Sequence, residues 1–301
     1  MSTSNQTANN YESQVLSAIG QKLYLSTTMA DVNFVFESKD HRIDRIPAHK
    51  AHLMAASDVF EKMFNGSWKE KNEVKIVDVS VAGFTEFLQF FYLAHVNLTV
   101  DNVAEVMNLG NMYNVAGCLS VCEKFLKRNL SDDNVCEAYK LAILFNQESL
   151  KDACEIFIEI NAKAVLKSDG FVSCDRKVLT KIVKLNWMTC SESELFEGCM
   201  AWVKATTKQN TLTKELVQSQ LGELFYEIRF GLMTMDEFVA LIPSYGKIFG
   251  ADEYTDIIQL ITDKDFQSNL FPGNKVKRRR NSILSFFLLN DPHHLIKKSK
   301  Q

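Results

Sequence analysis

Between Met29 and Leu126 the chain reads, in order, Asp31-Val-Asn-Phe-Val-Phe36, Ile46-Pro-Ala-His-Lys50, Ser57-Asp-Val-Phe-Glu-Lys-Met-Phe64, Val74-Lys-Ile-Val77, Tyr113-Asn-Val115 and Cys122-Glu-Lys-Phe-Leu126. In the first piece Val32, Phe34 and Phe36 alternate with Asn33 and Val35. That period of two predicts a strand with one apolar face and a second, partly buried one. Ser57, followed by Asp58 and Glu61, reads as a helix start, because a hydroxyl cap and early acids satisfy free amides and the helix dipole. Phe60, Met63 and Phe64 mark the inner face of that helix, Gly66 is its stop, and Val74 with Ile76 forms another short strand.

Outward from this region the period changes to that of helices. Phe84, Phe87, Leu88 and Phe91 fall at i, i+3, i+4 and i+7, and Val103, Val106, Met107 and Gly110 repeat the spacing. Ser131 with Asp132 and Asp133 is expected to begin a further helical run, in which Leu150, Cys154, Phe157 and Ile158 share a face. Two capping boxes are legible: Ser191 with Glu194 ahead of Leu195, Cys199 and Trp202, and Thr234 with Glu237 ahead of Phe238, Leu241 and Ile242. The last amphipathic helix carries Tyr254, Ile257, Ile258 and Ile261. On the other side, Val15, Leu16, Ile19 and Leu23 line one face of an N-terminal helix whose stripe needs a partner, and residues 1–10 read as disordered.

Composition sets the bounds. The 301 residues suit two ordinary domains or one large one, and 46% hydrophobic with 24% charged residues supplies a core. A formal charge of -3 gives no global attraction to nucleic acid or to an anionic membrane. The polar start lacks the apolar core of a signal peptide, and no apolar run approaches the about 20 residues of a spanning helix. A soluble intracellular protein is therefore expected. The 7 cysteines are odd in number and scattered without a CxxC pair, so buried free thiols in a reducing compartment are the default. No glycine-rich phosphate loop occurs, and His49 with His52 has no third ligand at matching spacing, so neither a cofactor nor a metal is expected. Asp132 and Asp133 read as helix-start residues, and no nucleophile–base arrangement follows from spacing.

The order of small pieces from Met29 to Leu126 resembles the BTB (POZ) domain, a dimerising interaction module. Ser131 to about Lys264 is similar to the helical BACK domain. The fold class expected is therefore an α+β BTB/POZ domain, a short sheet flanked by helices, followed by an all-α BACK domain. The expected limits are 1–10 for a disordered start, 11–130 for BTB with its N-terminal helix, 131–265 for BACK and 266–301 for a basic tail. The segment Ile228-Arg-Phe-Gly-Leu-Met-Thr-Met-Asp-Glu-Phe238 resembles the end of BACK in the BTB-BACK-PHR adaptors. After the expected BACK limit at residue 265 only about 35 residues follow, too few for a sandwich of roughly 100, so the PHR domain of that subgroup is expected to be missing. His52 and Met54 interrupt the aliphatic pair the family often has, and Cys118 stands where Leu is common.

The resemblance implies a homodimer whose interface takes in Val15, Leu16, Ile19 and Leu23, with Asp31 and Lys50 as the acid and base of the dimer groove. It also implies binding to cullin-3, the scaffold of a ubiquitin ligase. The family motif, a hydrophobic residue, any residue, then Glu, is matched by Trp68-Lys69-Glu70, with Met63 and Phe64 beside it. The chain is thus expected to be a substrate-recruiting adaptor without chemistry of its own, bridging cullin-3 and an unknown protein substrate, with no nucleic acid or membrane as partner. The alternatives are a dimerising scaffold or transcription-linked regulator that does not bind a cullin, and an incomplete subunit competing with PHR-containing relatives. The cluster Lys275, Lys277, Arg278, Arg279 and Arg280 is a candidate nuclear-import signal, and Ser282 after it resembles a basophilic kinase site. A cytoplasmic protein with access to the nucleus is the corresponding expectation.

Overall fold

A computed structural model describes residues 17–37, 41–65, 72–93 and 95–271. The chain divides into two compact units at Asn129 and Leu130.

The first unit opens with α1 (residues 17–23) and continues with strands β1 (Val32–Glu37) and β2 (Ile43–Ala48). Helices α2 (Lys50–Ala56) and α3 (Asp58–Asn65) lead to β3 (Glu73–Ile76), and α4 (Val81–Tyr92), α5 (Val103–Met112) and α6 (Ala116–Arg128) complete it. The sheet order is β2-β1-β3, with β1 antiparallel to β2 and parallel to β3. The parallel pair needs a crossover, and α2 with α3 supplies it. Strand β1 alternates as read, with Val32, Phe34 and Phe36 buried and Val35 half-buried. Phe34 packs against Phe84 and Phe60 at 4.6 and 5.9 Å between ring centres, and Phe60 stacks on Tyr113 at 4.3 Å. Each such ring contributes roughly 1.5–3 kcal/mol of burial.

Strand β2 had no counterpart in the sequence reading. Pro47 lies inside it, opposite Asn33. Proline has no amide to donate, which is tolerated here because β2 is an edge strand. Ser57 starts α3 as expected, its hydroxyl accepting the Phe60 amide at 3.2 Å and donating to the Tyr113 carbonyl at 2.6 Å. Ser80 caps α4 and is gripped by Glu105 of α5, which accepts both its amide and its hydroxyl.

The second unit is helical: α7 (Val135–Leu144), α8 (Glu148–Ile160), the short α9 (Ala162–Val165) and α10 (Asp169–Val172), then α11 (Arg176–Val183), α12 (Glu192–Thr207), α13 (Lys214–Leu221), α14 (Met235–Tyr245) and α15 (Ala251–Thr262). Helix α7 begins at Val135, four residues after the expected start. Ser131 instead opens a turn, its amide bound to the Asn134 side chain and its carbonyl accepting the Val135 amide. Both capping boxes form, at Ser191 with Glu194 and at Thr234 with Glu237.

The basic tail was expected from residue 266, yet the chain stays packed through Phe271. The Ser268 hydroxyl donates to the Asp256 carboxylate and accepts the amides of Leu270 and Phe271. The Phe271 ring is fully buried, 5.2 Å from Phe230 and 5.5 Å from Tyr226. It closes an aromatic cluster with Phe196, Phe225, Phe238 and Phe249. Phe271→Ala should therefore destabilise this unit by about 3–5 kcal/mol, the usual cost of emptying a buried phenylalanine site. Urea denaturation monitored by circular dichroism is the check. An unchanged midpoint would show that Phe271 belongs to the tail.

Candidate functional site

The expected dimer face is built on α1. Gly20 points into the unit, where a Cβ would stand only 1.7 Å from the Tyr92 carbonyl oxygen. A glycine is therefore required for the helix to lie this close to the end of α4. One turn later the Tyr24 hydroxyl donates to the Thr85 carbonyl at 2.9 Å. With Gly20 and Tyr24 turned inward, Ile19 is 48% exposed and Leu23 is half-buried. Val15 and Leu16 lie outside the described residues.

Asp31 and Lys50 meet through the backbone. Asp31 Oδ1 accepts the Lys50 amide at 2.8 Å, placing a carboxylate at the start of α2, where free amides and the helix dipole favour it. The Lys50 ammonium lies 5.4 Å from the centre of the Phe64 ring, a cation–π contact. Behind them His49 is buried, with both ring nitrogens engaged. Nε2 is 2.8 Å from the Thr28 carbonyl and Nδ1 is 3.0 Å from the Tyr92 hydroxyl. A carbonyl only accepts, so the network assigns the proton to Nε2, and Nδ1 then accepts from Tyr92. The same hydroxyl accepts the His49 amide at 2.9 Å. Burial first, opposed by that amide and reinforced by the Asp31 charge, pushes the Tyr92 phenol up to about 12. His52 stacks on Tyr92 at 5.1 Å, and partial burial, then the neighbouring His49, lowers its imidazole below the ordinary value. This node fastens the loop after α1, the start of α2 and the end of α4 to one another.

The expected cullin face is only partly within view. Trp68, Lys69 and Glu70 fall outside the described residues, as do Lys275, Lys277, Arg278, Arg279, Arg280 and Ser282. On α3, Met63 is half-buried and adds surface beside Glu61, Lys62 and Asn65, which are exposed. Phe64 corrects the expectation. It is 5% exposed and stacked parallel to Phe60, so its ring serves the core and offers almost nothing to a partner.

Family models match the two units in turn: BTB/POZ domain over residues 21–130, and BTB And C-terminal Kelch, abbreviated BACK, over residues 135–243. The chain belongs to the BTB–BACK family. Over 219 residues, 72% of its length, it is 32% identical to BTB/POZ domain-containing protein 6 of Mus musculus and 30% identical to BTB/POZ domain-containing protein 3 of Homo sapiens. Those alignments cover 40% and 42% of the two relatives, so this BTB–BACK chain spans about two fifths of their length. Among solved structures it is similar to the BTB domain of zebrafish PATZ1, with a TM-score of 0.34 and 20% identity over 40% of this chain and 95% of that one. The BTB domain of human Gigaxonin gives 0.32 and 19% over 38% and 91%. BTB and BACK are protein-interaction domains, and the chain is a protein-interaction protein in that general sense.

Sequence reasoning missed three of the residues that shape this BTB–BACK chain. Gly20 had a signal, a glycine in mid-helix with no capping role. Tyr92 had none, because its partners, from Gly20 to His52, lie 40 and more positions away. The third is Glu159 of α8, 8% exposed, whose carboxyl is pushed up to about 7 by burial and then by the nearby Glu155 charge. A folded value above the unfolded one means that the folded chain binds more protons between about 4.5 and about 7. Stability from this group is complete below that window and is lost as pH rises through it. Glu159→Gln should therefore melt higher than the native chain at pH 8 and nearly alongside it at pH 5. The gain is about 2–4 °C for each kcal/mol recovered in a unit of this size. Thermal melts at the two pH values check this, and an equal shift at both would contradict it.

Proposed function

We propose that this chain is a dimerising, substrate-recruiting adaptor of a cullin-3 ubiquitin ligase that performs no chemistry itself. The observation that carries the reading is the direct succession of a BTB/POZ unit and a BACK unit. Two features favour dimerisation. Helix α1 is held by Gly20 and Tyr24 so that Ile19 and Leu23 turn outward, and the sequence extends that stripe back through Leu16 and Val15. Cullin-3 would be met beyond α3, through Trp68 and Glu70 with Met63 at the rim. There a large apolar side chain supplies contact area and a carboxylate supplies a charged hydrogen-bond acceptor.

The adaptor's contribution to ubiquitin transfer would be proximity. Holding a substrate beside the charged ligase raises the effective concentration of its lysines, and a dimer presents two such arms. The site of action in this reading is the cytoplasm, with nuclear entry through Lys275 to Arg280 under the control of Ser282 phosphorylation.

Co-purification with cullin-3 tests the proposal. The native chain should recover cullin-3, and the Trp68→Ala/Glu70→Ala chain should recover at least about tenfold less while remaining dimeric, as expected when two hot-spot contacts are removed. A native dimer that recovers none would leave the scaffold reading, and the ligase reading would fall.

A further inference from the structure

Five of the seven cysteines, at 136, 154, 174, 190 and 199, belong to the BACK unit. Two of them come together where α10 and α11 pack on α7. Cys136 lies in the first turn of α7 and is 1% exposed, while Cys174 occupies the bend between α10 and α11 and is half-buried. Both line one cavity of about 260 Å³, together with Asp133, Lys140 and Ser173. Cys174 also borders a wider cleft of about 550 Å³ beside Arg176 and Trp202. Cys174 is therefore open to a small solute, and Cys136 lines the same cavity.

The backbone sets up this meeting. Helix α10 presses so closely on the turn before α7 that a Cβ on Gly170 would sit 1.9 Å from the Asp133 carbonyl oxygen. The bend that follows is fixed at both ends of Cys174. Its amide donates to the Phe171 carbonyl at 3.2 Å, and its carbonyl accepts the Trp202 indole N–H at 2.8 Å. Cys174 is half-buried and Cys136 is 1% exposed, so Cys174 is the first that a small oxidant meets; the contact with Cys174, then burial, holds the Cys136 thiol above its ordinary value.

The BTB unit supplies an internal control. Cys118 and Cys122 lie one turn apart on α6, but both are fully buried. They have the proximity without the access.

We propose that Cys136 and Cys174 form a peroxide-responsive dithiol that closes to a disulfide between α7 and the α10–α11 bend. The Cys174 thiolate attacks one oxygen of hydrogen peroxide, the O–O bond breaks, and the departing hydroxide takes a proton to become water. Cys174 is now a sulfenic acid, oxidised by the two electrons the peroxide has gained. The Cys136 sulfur then attacks the Cys174 sulfur, the S–O bond breaks, and hydroxide leaves with the Cys136 proton as a second water. Two thiols and one peroxide become one disulfide and two waters. The bond ties the first BACK helix to the α10–α11 bend and fixes the surface between them.

The test uses the full, reduced chain. It is exposed to hydrogen peroxide, alkylated under denaturing conditions and mapped by peptide mass spectrometry. Free thiols should fall by two, from seven to five, with Cys136 joined to Cys174 as the dominant link and Cys118 and Cys122 unmodified. In Cys136→Ser the second step is blocked, and Cys174 should accumulate as a sulfenic acid that dimedone traps. The native-chain map stands by itself if that variant does not fold. Cys174 remaining reduced, Cys174 oxidised without a bond to Cys136, or links spread evenly among the seven cysteines would each overturn the proposal.

Discussion

The BTB unit depends on the double pairing of β1. This one strand accepts β2 on one side and β3 on the other, and its apolar face presents Phe34 to Phe84 and Phe60. A slip of one residue would turn Val32, Phe34 and Phe36 outward and empty the aromatic core, so the register is strongly specified. The strand's first neighbour, Asp31, accepts the Lys50 amide and thereby fixes where α2 begins. Helix α2 then places α3, whose Phe60 and Phe64 return to the same core. The surface offered to partners follows from this chain of constraints.

The node of His49, Tyr92 and Thr28 extends that order to the N-terminal helix. Tyr92 holds α1 in two ways: its carbonyl lies against Gly20, and its hydroxyl binds His49, which in turn binds the loop after α1. Burying both polar groups is sustainable because every donor finds an acceptor, and leaving either unmade would cost about 1–3 kcal/mol. The consequence is that Ile19 and Leu23 are displayed on a rigid support. An apolar stripe displayed in this way suits pairing with another protein surface. The BACK unit organises itself differently, around helices that bury Phe196, Phe225, Phe230, Phe238, Phe249 and Phe271.

Much of this was legible in the sequence where a local rule operates. The alternation in β1 shows because only one face of the strand is fully buried. Ser57, Ser191 with Glu194 and Thr234 with Glu237 show because capping needs particular side chains at fixed offsets. What escaped depends on distant partners or on contrary local signals. Strand β2 was hidden by Pro47, which is tolerated because β2 is the edge strand of the sheet among the described residues. Phe271 reads as tail because Pro272 and the basic run follow it, although its ring packs on Tyr226 and Phe230, more than forty positions earlier. The helical spacing places Phe64 on the inner face of α3 while its nearness to the Trp68 motif suggests a partner contact, and the parallel stack on Phe60 decides for the first. Cys136 and Cys174, 38 positions apart, carry no shared pattern at all.

The central claim is that this chain works by surface complementarity, beginning with a second copy of itself on the α1 face. Sedimentation equilibrium of the full chain at micromolar concentration tests it most directly, compared with an Ile19→Glu/Leu23→Glu variant. The account predicts a species of twice the chain mass that reverts to a folded monomer in the variant. A native chain that sediments as a monomer, or a variant that dimerises as strongly as the native chain, would contradict it.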